Sequence, residues 1–543
     1  MLSIIRTLAL PMTTTRPHAI VDSCPASRYW LLWLCLLGAC SAPEYSRRAD
    51  DMGTRILDGK EQDVLGGRYE TVIRPEPLLE PEPETEAETQ TVSAASQTLD
   101  LEQALALAVR GNRAHKARRE SLFLQALSLS DVRNSFAPQV SLSLSYLFTD
   151  DEDLPWDQGL GIDARVSQIL PWGGTLSADA GSGYSEVDFD GSFSTAASIS
   201  LTQPLLRGAG AAISHESLIQ AERDLIYAIR SFELQREDFA IDTARRFYDL
   251  VQRRKTIENL EQNLAGFVFG RRQAEALFAV GRTSELDVLR AKRSELTSRD
   301  SLISAEENNL AELDRFRIFL GLPREQPVEV LSEAPPYIQS SFVLDEAVEL
   351  ALANRLDHLT EIQQLEDVKR GLLISEDQLR PDLSLNAGFG VSSAEDNSFL
   401  NQPFGRDALI VGLSLGLPVD RFNEANSYRR AQINAVQAER DYEEFKDNLV
   451  VQIRASFREL ERRRQSLDIQ QELIVGQKKN VKIAQIRFEQ GKVSNREVTE
   501  AQEALLDAQN SLINERVNYE ISRLGLLRNL GILFIDERGM FKE

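Results

Sequence analysis

Two stretches of the chain, GRTSELDVLRA at 281–291 and GKVSNREVTEA at 491–501, lie 210 residues apart and share one design. Each opens on a Gly that separates two helical patterns, and Ser284, Val288 and Ala291 return as Ser494, Val498 and Ala501. The same offset carries Leu320 and Gly321 onto Leu530 and Gly531, so about forty residues align without a gap. A chain of 543 residues with this regularity is an internal duplication. Whatever architecture the first copy takes, the second must also take.

A second offset marks where each copy begins. Leu101, Ala104, Leu105 and Ala108 form a helical stripe that comes back 243 residues later as Leu344, Ala347, Val348 and Ala351, and the offset persists from Pro138 to Pro381. Each copy therefore reads as a helix of roughly 35 residues, a Pro that ends it, and a change of period.

Beyond the Pro the period becomes two. Val140, Leu142, Leu144, Tyr146 and Phe148 alternate with Ser141, Ser143 and Ser145; Leu383, Leu385, Ala387, Phe389 and Val391 alternate with Ser384, Asn386 and Gly388. SISLTQP (198–204) and LIVGLSLGLP (409–418) supply partners, and the first copy adds GIDARVSQIL (161–170) and TLSADAGSG (175–183) around the tight turn PWGG. Strands of about ten residues, apolar on one face and small or polar on the other, suit a barrel with lipid outside and water inside. Four strands are expected from the first copy and two from the second. The acidic stretches DDEDLPWDQ and SEVDFDGS are expected to be the longer outer loops.

Long helices follow. No Pro occurs from 214 to 280 or from 424 to 490, and a continuous helix over either would span about 100 Å. The return helices beyond the Gly turns are about half as long. Val498, Leu505, Leu512 and Tyr519 recur every seven residues, with Ala501 and Ala508 three further on, which predicts coiled-coil packing.

The first hundred residues differ in kind. All three Cys, at 24, 35 and 40, lie there, and the apolar run YWLLWLCLLGA (29–39) is too short to span a bilayer but fits a signal-peptide core. Small residues leading into Cys40 resemble the lipobox of bacterial lipoproteins, which implies cleavage before Cys40, acylation of its thiol and, with Ser41 next, an outer-membrane address. Residues 41–98, rich in Pro and Glu, are expected to form a disordered tether. The remaining divisions are a first repeat at 99–335, a second at 340–533 and a tail at 534–543.

A net charge of −23 opposes nucleic-acid binding, which needs a basic surface. His18, His115, His215 and His358 show no ligand or triad spacing, and GAGAA (208–212) lacks the Lys of a phosphate loop. Neither an enzyme nor a metal or cofactor site is expected.

Together, the helix, strands, long helix, Gly turn and return helix of 99–533, with RFEQGKVSNREV (487–498), LTQPLLRGAG (201–210) and ALANR (351–355), resemble the TolC-type outer-membrane efflux protein family. Arg113 and Arg355 depart from it, standing where the family often has Pro after Asn. The resemblance implies a mainly helical homotrimer whose shared barrel of about 12 to 18 strands crosses the outer membrane above a periplasmic coiled-coil tunnel. It further implies partnership with a periplasmic adaptor and an inner-membrane transporter, in a tripartite efflux or type I secretion system. By the same resemblance Glu497 and Glu500 fall at a periplasmic gate as a ring of six acids, and Asp287 and Arg290 stand at the equivalent place in the first copy, where an inter-helix salt link is expected. Phe278, Gly281 and Ser284, with Arg487, Phe488, Gly491 and Ser494, correspond to the adaptor-docking tip. There the Gly permits the turn, the aromatic packs the hairpin and the Ser can cap the return helix. A trimeric coiled-coil envelope scaffold is the alternative, and it leaves the strands and the lipobox without a role.

Overall fold

A computed structural model describes residues 42–65, 97–151, 154–187, 190–323, 325–331, 335–338, 343–393, 404–536 and 538–542. The signal segment, Cys40 and the tether from 66 to 96 lie outside these residues. The chain divides into units at 1–51 and 52–543, and the second holds both repeats.

Residues 42–65, assigned above to the tether, form a helix instead, α1 (Ala42–Leu65). The reason is tertiary. Leu57 and Leu65 are buried against Leu122, Phe123, Leu225 and Ile229 of the first repeat, and Lys60 meets Glu222 at 3.4 Å.

The first repeat opens with β1 (Gln97–Leu99), then α2 (Leu101–Gly111) and α3 (Arg113–Ser135). Asp100 and Gln103 form a capping box that starts α2. The single helix of roughly 35 residues expected here is broken at Asn112, whose backbone is extended (φ −70°, ψ 120°) and whose side chain caps α3 by accepting from the His115 N–H at 2.9 Å. The Asn112 amide also donates to the Phe319 carbonyl at 2.8 Å, pinning the break to the end of the return helix. There Gly111 and Gly321 touch so closely that a Cβ on Gly111 would lie 2.0 Å from the Leu320 carbonyl oxygen.

Four strands come next, β2 (Gln139–Asp151), β3 (Leu154–Ile169), β4 (Thr175–Val187) and β5 (Asp190–Pro204). The one-turn α4 (Ala211–Ser214) leads into α5 (Glu216–Ala279), and α6 (Glu285–Leu320) returns to β6 (Val328–Val330), which pairs in parallel with β1. The second repeat runs α7 (Leu344–Asn354), α8 (Leu356–Asp377), β7 (Asp382–Ser393), β8 (Phe404–Gly416), α9 (Phe422–Glu489) and α10 (Asn495–Asn529). Here too the expected first helix is broken, at Arg355 (φ −64°, ψ 123°). The tail is structured: β9 (Phe534–Ile535) pairs with β10 (Phe541–Lys542), Ile535 is buried, and its carbonyl accepts from the Arg236 guanidinium.

The four and two expected strands form one antiparallel sheet in the order β2-β3-β4-β5-β7-β8. The added hairpin thus belongs to the same sheet, and β5 joins the repeats by pairing with β7 from Ala196↔Ser392 to Pro204↔Ser384. The acidic stretches expected as loops are mostly strand, because β2–β3 pairing continues to Asp151↔Leu154 and β4–β5 pairing to Val187↔Asp190. At the other end the tight turn is as expected, closed by the Leu170 N–H on the Gly174 carbonyl at 2.7 Å with Gly173 at φ +89°.

Register separates the two faces of this sheet. Leu142, Ala164, Ala180, Ala197 and Val391 lie in one row, and Leu144, Ile162, Ser182 and Thr195 in the next. Leu201, Ala387 and Val411 continue the same face towards β8. The opposite face carries Ser141, Arg165, Asp179 and Ser198 in one row, with Arg165 paired to Asp179. Leu142, Leu409, Val411 and Leu413 are 67 to 76% exposed in the single chain. So much apolar surface on one continuous face marks a surface that something apolar covers.

No described helix is long and apolar enough to cross a membrane. At 64 and 68 residues, α5 and α9 are each about 100 Å long. Leu460, Leu467 and Tyr519 share a core with Leu512, so the heptad expected for α10 packs against α9. Where the repeats meet below the sheet, Asp367 of α8 accepts from Arg223 of α5 at 2.8 Å and from Arg370 at 2.7 Å. His115 and His358 serve packing, the first stacked on Phe239 at 4.7 Å and the second bonded to the Leu352 carbonyl at 2.8 Å.

Candidate gate and docking tip at the paired glycine turns

Both long helices end in the same way. Gly281 (φ 72°) and Gly491 (φ 68°) take the left-handed conformation that glycine adopts without strain. The Gly281 N–H donates to the Phe278 carbonyl and the Arg282 N–H to the Leu277 carbonyl; Gly491 and Lys492 repeat this on Phe488 and Arg487. This reciprocal pair of bonds satisfies carbonyls that a helix end would leave bare.

The return helices start differently. Ser284 caps α6 as expected, accepting from the Asp287 N–H at 3.2 Å, while its hydroxyl donates to Asp287 Oδ2 at 2.6 Å and Thr283 adds a bond at 3.1 Å. Ser494 holds the equivalent position on α10 but makes no side-chain capping bond.

Asp287 is thereby drawn into the turn. The Ser284 hydroxyl above all, with Thr283 and the nearby Arg290, holds its carboxyl below the ordinary range despite the opposing effect of partial burial. Arg290 lies 3.7 Å from Asp287 on the same helix, three residues on. The inter-helix link expected from this pair is therefore an intra-helix contact, because i,i+3 side chains share one face.

Glu497 and Glu500 lie exposed on one side of α10. Glu500 accepts from Arg496 Nε at 2.6 Å. Arg496 was not among the expected gate residues, although its i,i+4 spacing from Glu500 could have revealed it. It changes the charge of the site: the chain offers two carboxylates and one guanidinium there rather than two bare acids.

The two aromatics also differ. Phe488 is 4% exposed in a cluster with Ala484, Val498 and Ala501, against which Leu277 of the first hairpin packs. Phe278 is 47% exposed, beside Val280 at 69%. The expectation that each aromatic packs its hairpin thus holds for Phe488 and fails for Phe278, which is left half exposed. Arg487 is exposed, next to a shallow groove lined by Ile483, Ile486 and Val493. The Leu277 contact brings the two hairpins together near their turns. Further along, Asn259 of α5 donates to Asn510 of α10 at 2.9 Å, a polar join between the hairpins.

Comparison with known proteins gives this arrangement a setting. Residues 347–532 match the family model described as outer membrane efflux protein. The outer membrane protein TolC of Escherichia coli K12 is 23% identical over 401 residues, covering 68% of this chain and 76% of that protein. The fold superposes on the outer membrane protein VceC of Vibrio cholerae with a TM-score of 0.60 and 15% identity, covering 79% of this chain and 96% of that one. The outer-membrane channel OprN gives a TM-score of 0.59 and 18% identity over 79% and 89%.

Proposed function

Starting from the outer membrane efflux protein family, to which this chain belongs, we propose that it is a passive export duct made of three copies, held to the outer membrane by lipid on Cys40 and opened at the Gly281 and Gly491 turns. The carrying observation is the sheet, apolar along one face and polar along the other, with both end strands unpaired in the single chain. In a bilayer an open strand edge leaves backbone groups without partners, so β2 and β8 need strands from other copies. Three copies of six strands give an eighteen-stranded barrel wide enough for an aqueous pore. A coiled-coil scaffold would have no use for such a sheet.

In this reading Glu497, Glu500 and Arg496, with Asp287 and Arg290, surround the narrow end of the tunnel. Cations are drawn by Glu497, which has no ion pair within the chain among the described residues, while the remaining charges are tied up locally. The exposed Phe278 and Val280, with the groove beside Arg487, are apolar surface that a periplasmic adaptor would cover. The transported substrate is chosen by the inner-membrane transporter to which that adaptor connects.

Reconstitution of the purified oligomer in a planar bilayer tests the duct. Discrete conductance steps are expected, smaller for cations after Glu497→Ala. Silence from both the parent and the variant, in a preparation shown to be trimeric, would leave the scaffold reading standing.

A further inference from the structure

The apolar face of the sheet changes character at the end away from the long helices. Beyond Leu144 and Ile162 the next row is Tyr146, Leu160, Tyr184 and Phe193, and the row after it is Phe148, Gln158, Glu186 and Gly191. A carboxylate and an amide therefore stand on a face that is otherwise mostly aliphatic. They are joined to each other and to two phenols: Gln158 Nε2 donates to Glu186 Oε2 at 2.6 Å, the Tyr184 hydroxyl donates to the same oxygen at 2.6 Å, and the Tyr146 hydroxyl donates to Gln158 Oε1 at 3.3 Å. Tyr184 packs on Phe193 with ring centroids 4.8 Å apart, and its phenol end lies over Gly191, where a Cβ would strike it.

The height of this cluster follows from the tight turn at the other end of β4. Trp172 in that turn is 62% exposed, and Trp side chains settle at the interface between membrane and water. Tyr184 stands ten residues beyond Gly174. For a strand tilted about 40° that rises about 3.3 Å per residue, this is a climb of about 25 Å. The apolar band of an outer-membrane barrel has the same height, about 25 Å. The Tyr184 row therefore reaches the opposite interface, and Glu186, one row further, stands level with headgroups rather than acyl chains.

We propose that Tyr146, Gln158, Tyr184 and Glu186 form a binding site for the sugar headgroup of a glycolipid in the outer leaflet. This rests on the barrel reading above and adds a specific lipid at its outer rim. Both bonds to Glu186 fall on Oε2, so among the described residues Oε1 is left to accept sugar hydroxyls, and bonds to a carboxylate are among the stronger hydrogen bonds. The Tyr146 ring, 66% exposed, offers an apolar face to the C–H side of a pyranose. No residue of the two rows is basic, so the cluster is built for hydroxyls and not for a phosphate. An ammonium headgroup would need Glu186 alone. A sugar, with hydroxyls around an apolar ring, uses the aromatic and the acceptors together.

Native mass spectrometry of the full-length protein tests the site, with a short-chain lipopolysaccharide and phosphatidylethanolamine offered together as probes. The parent should retain the lipopolysaccharide in preference to the phospholipid. Glu186→Ala should weaken that retention about tenfold and Tyr184→Phe about threefold, the range for losing a bond to a charged group and a neutral bond. Ser185→Ala, next along β4 but on the opposite face, should leave it unchanged. Trimers in the same spectra show that each variant has folded. Equal retention of the two lipids, unchanged retention in both site variants, or an equal loss in Ser185→Ala would overturn the site. So would tighter retention in Glu186→Ala, the result that relief of repulsion from headgroup phosphates would give. A parent that never forms the trimer would overturn the barrel reading, and the site with it.

Discussion

Arg496 and Glu500 form an ion pair one turn apart on α10, with the guanidinium Nε 2.6 Å from the carboxylate. Glu497, on the same side of the helix, is left out of it. Two acids that look equivalent by spacing are therefore unequal: among the described residues Glu500 is ion-paired with Arg496, and Glu497 feels that guanidinium only at longer range.

Substitution should separate them. Glu497→Ala is expected to lower cation-over-anion selectivity about tenfold, the cation losing and the anion gaining the factor of about three that roughly 0.7 kcal/mol between unit charges 6 Å apart in water supplies. Glu500→Ala frees Arg496 and should lower it further, while Arg496→Ala should raise it. Reversal potentials across a salt gradient give all three, and an equal effect of the two Glu variants would contradict the pairing.

The tip aromatics should part in the same manner. Phe488→Ala empties a buried site and should cost about 3 to 4 kcal/mol locally, seen as faster amide exchange over 480–500. Phe278→Ala removes a side chain that is half exposed, so stability should change by less than about 0.5 kcal/mol. Its effect should appear instead as weaker capture of the adaptor.

Backbone contact at the end of α6 gives a sharper test. Gly321→Ala would strain a residue at φ +75° and place its Cβ 2.1 Å from the Gly111 carbonyl oxygen, so a loss above about 4 kcal/mol is expected. Gly371→Ala, in open space on α8, should stabilise by about 0.8 kcal/mol through helix propensity. Thermal unfolding of the two variants against the parent decides it.

A pH dependence follows from α1. Glu61 is buried, and burial, then Glu233 and Asp58, push its carboxyl up to about 8 against the opposing effect of Arg236. A folded-state value raised above the ordinary 4.5 means that the stability tied to this group is complete below 4.5 and is lost as pH climbs through about 8. The melting temperature should fall over that window in the parent and fall less in Glu61→Gln. Parallel curves would show that α1 is not held this way.

The strands were legible in the sequence because alternation survives whichever neighbour a strand finds, and the turns because only Gly sits comfortably at Gly281 and Gly491. The breaks at Asn112 and Arg355 were missed for different reasons: the apolar stripe lapses over 109–121, where Asn112 is a ready helix cap, but it runs on through Leu356 and Leu359 past Arg355. α1 was hidden by its composition: the acidic residues suggest a solvated chain, and Leu57 and Leu65 acquire meaning only from the surface of α3 and α5. Phe278 and Phe488 look alike in sequence; Leu277, reaching across from the other hairpin, makes a core around one of them.

The six-stranded sheet has a consequence in its parity. With an even number of antiparallel strands, β2 and β8 run in opposite directions, so β8 of one copy can always meet β2 of the next in the same antiparallel sense. A hairpin adds two strands and preserves that parity, as the hairpin within 161–183 does. In the proposed ring of three copies one inserted hairpin per gene would add six strands, so a lineage can widen its pore by whole hairpins while the subunit joints keep their geometry. A single inserted strand could not be inherited this way, for it would set every joint parallel at once.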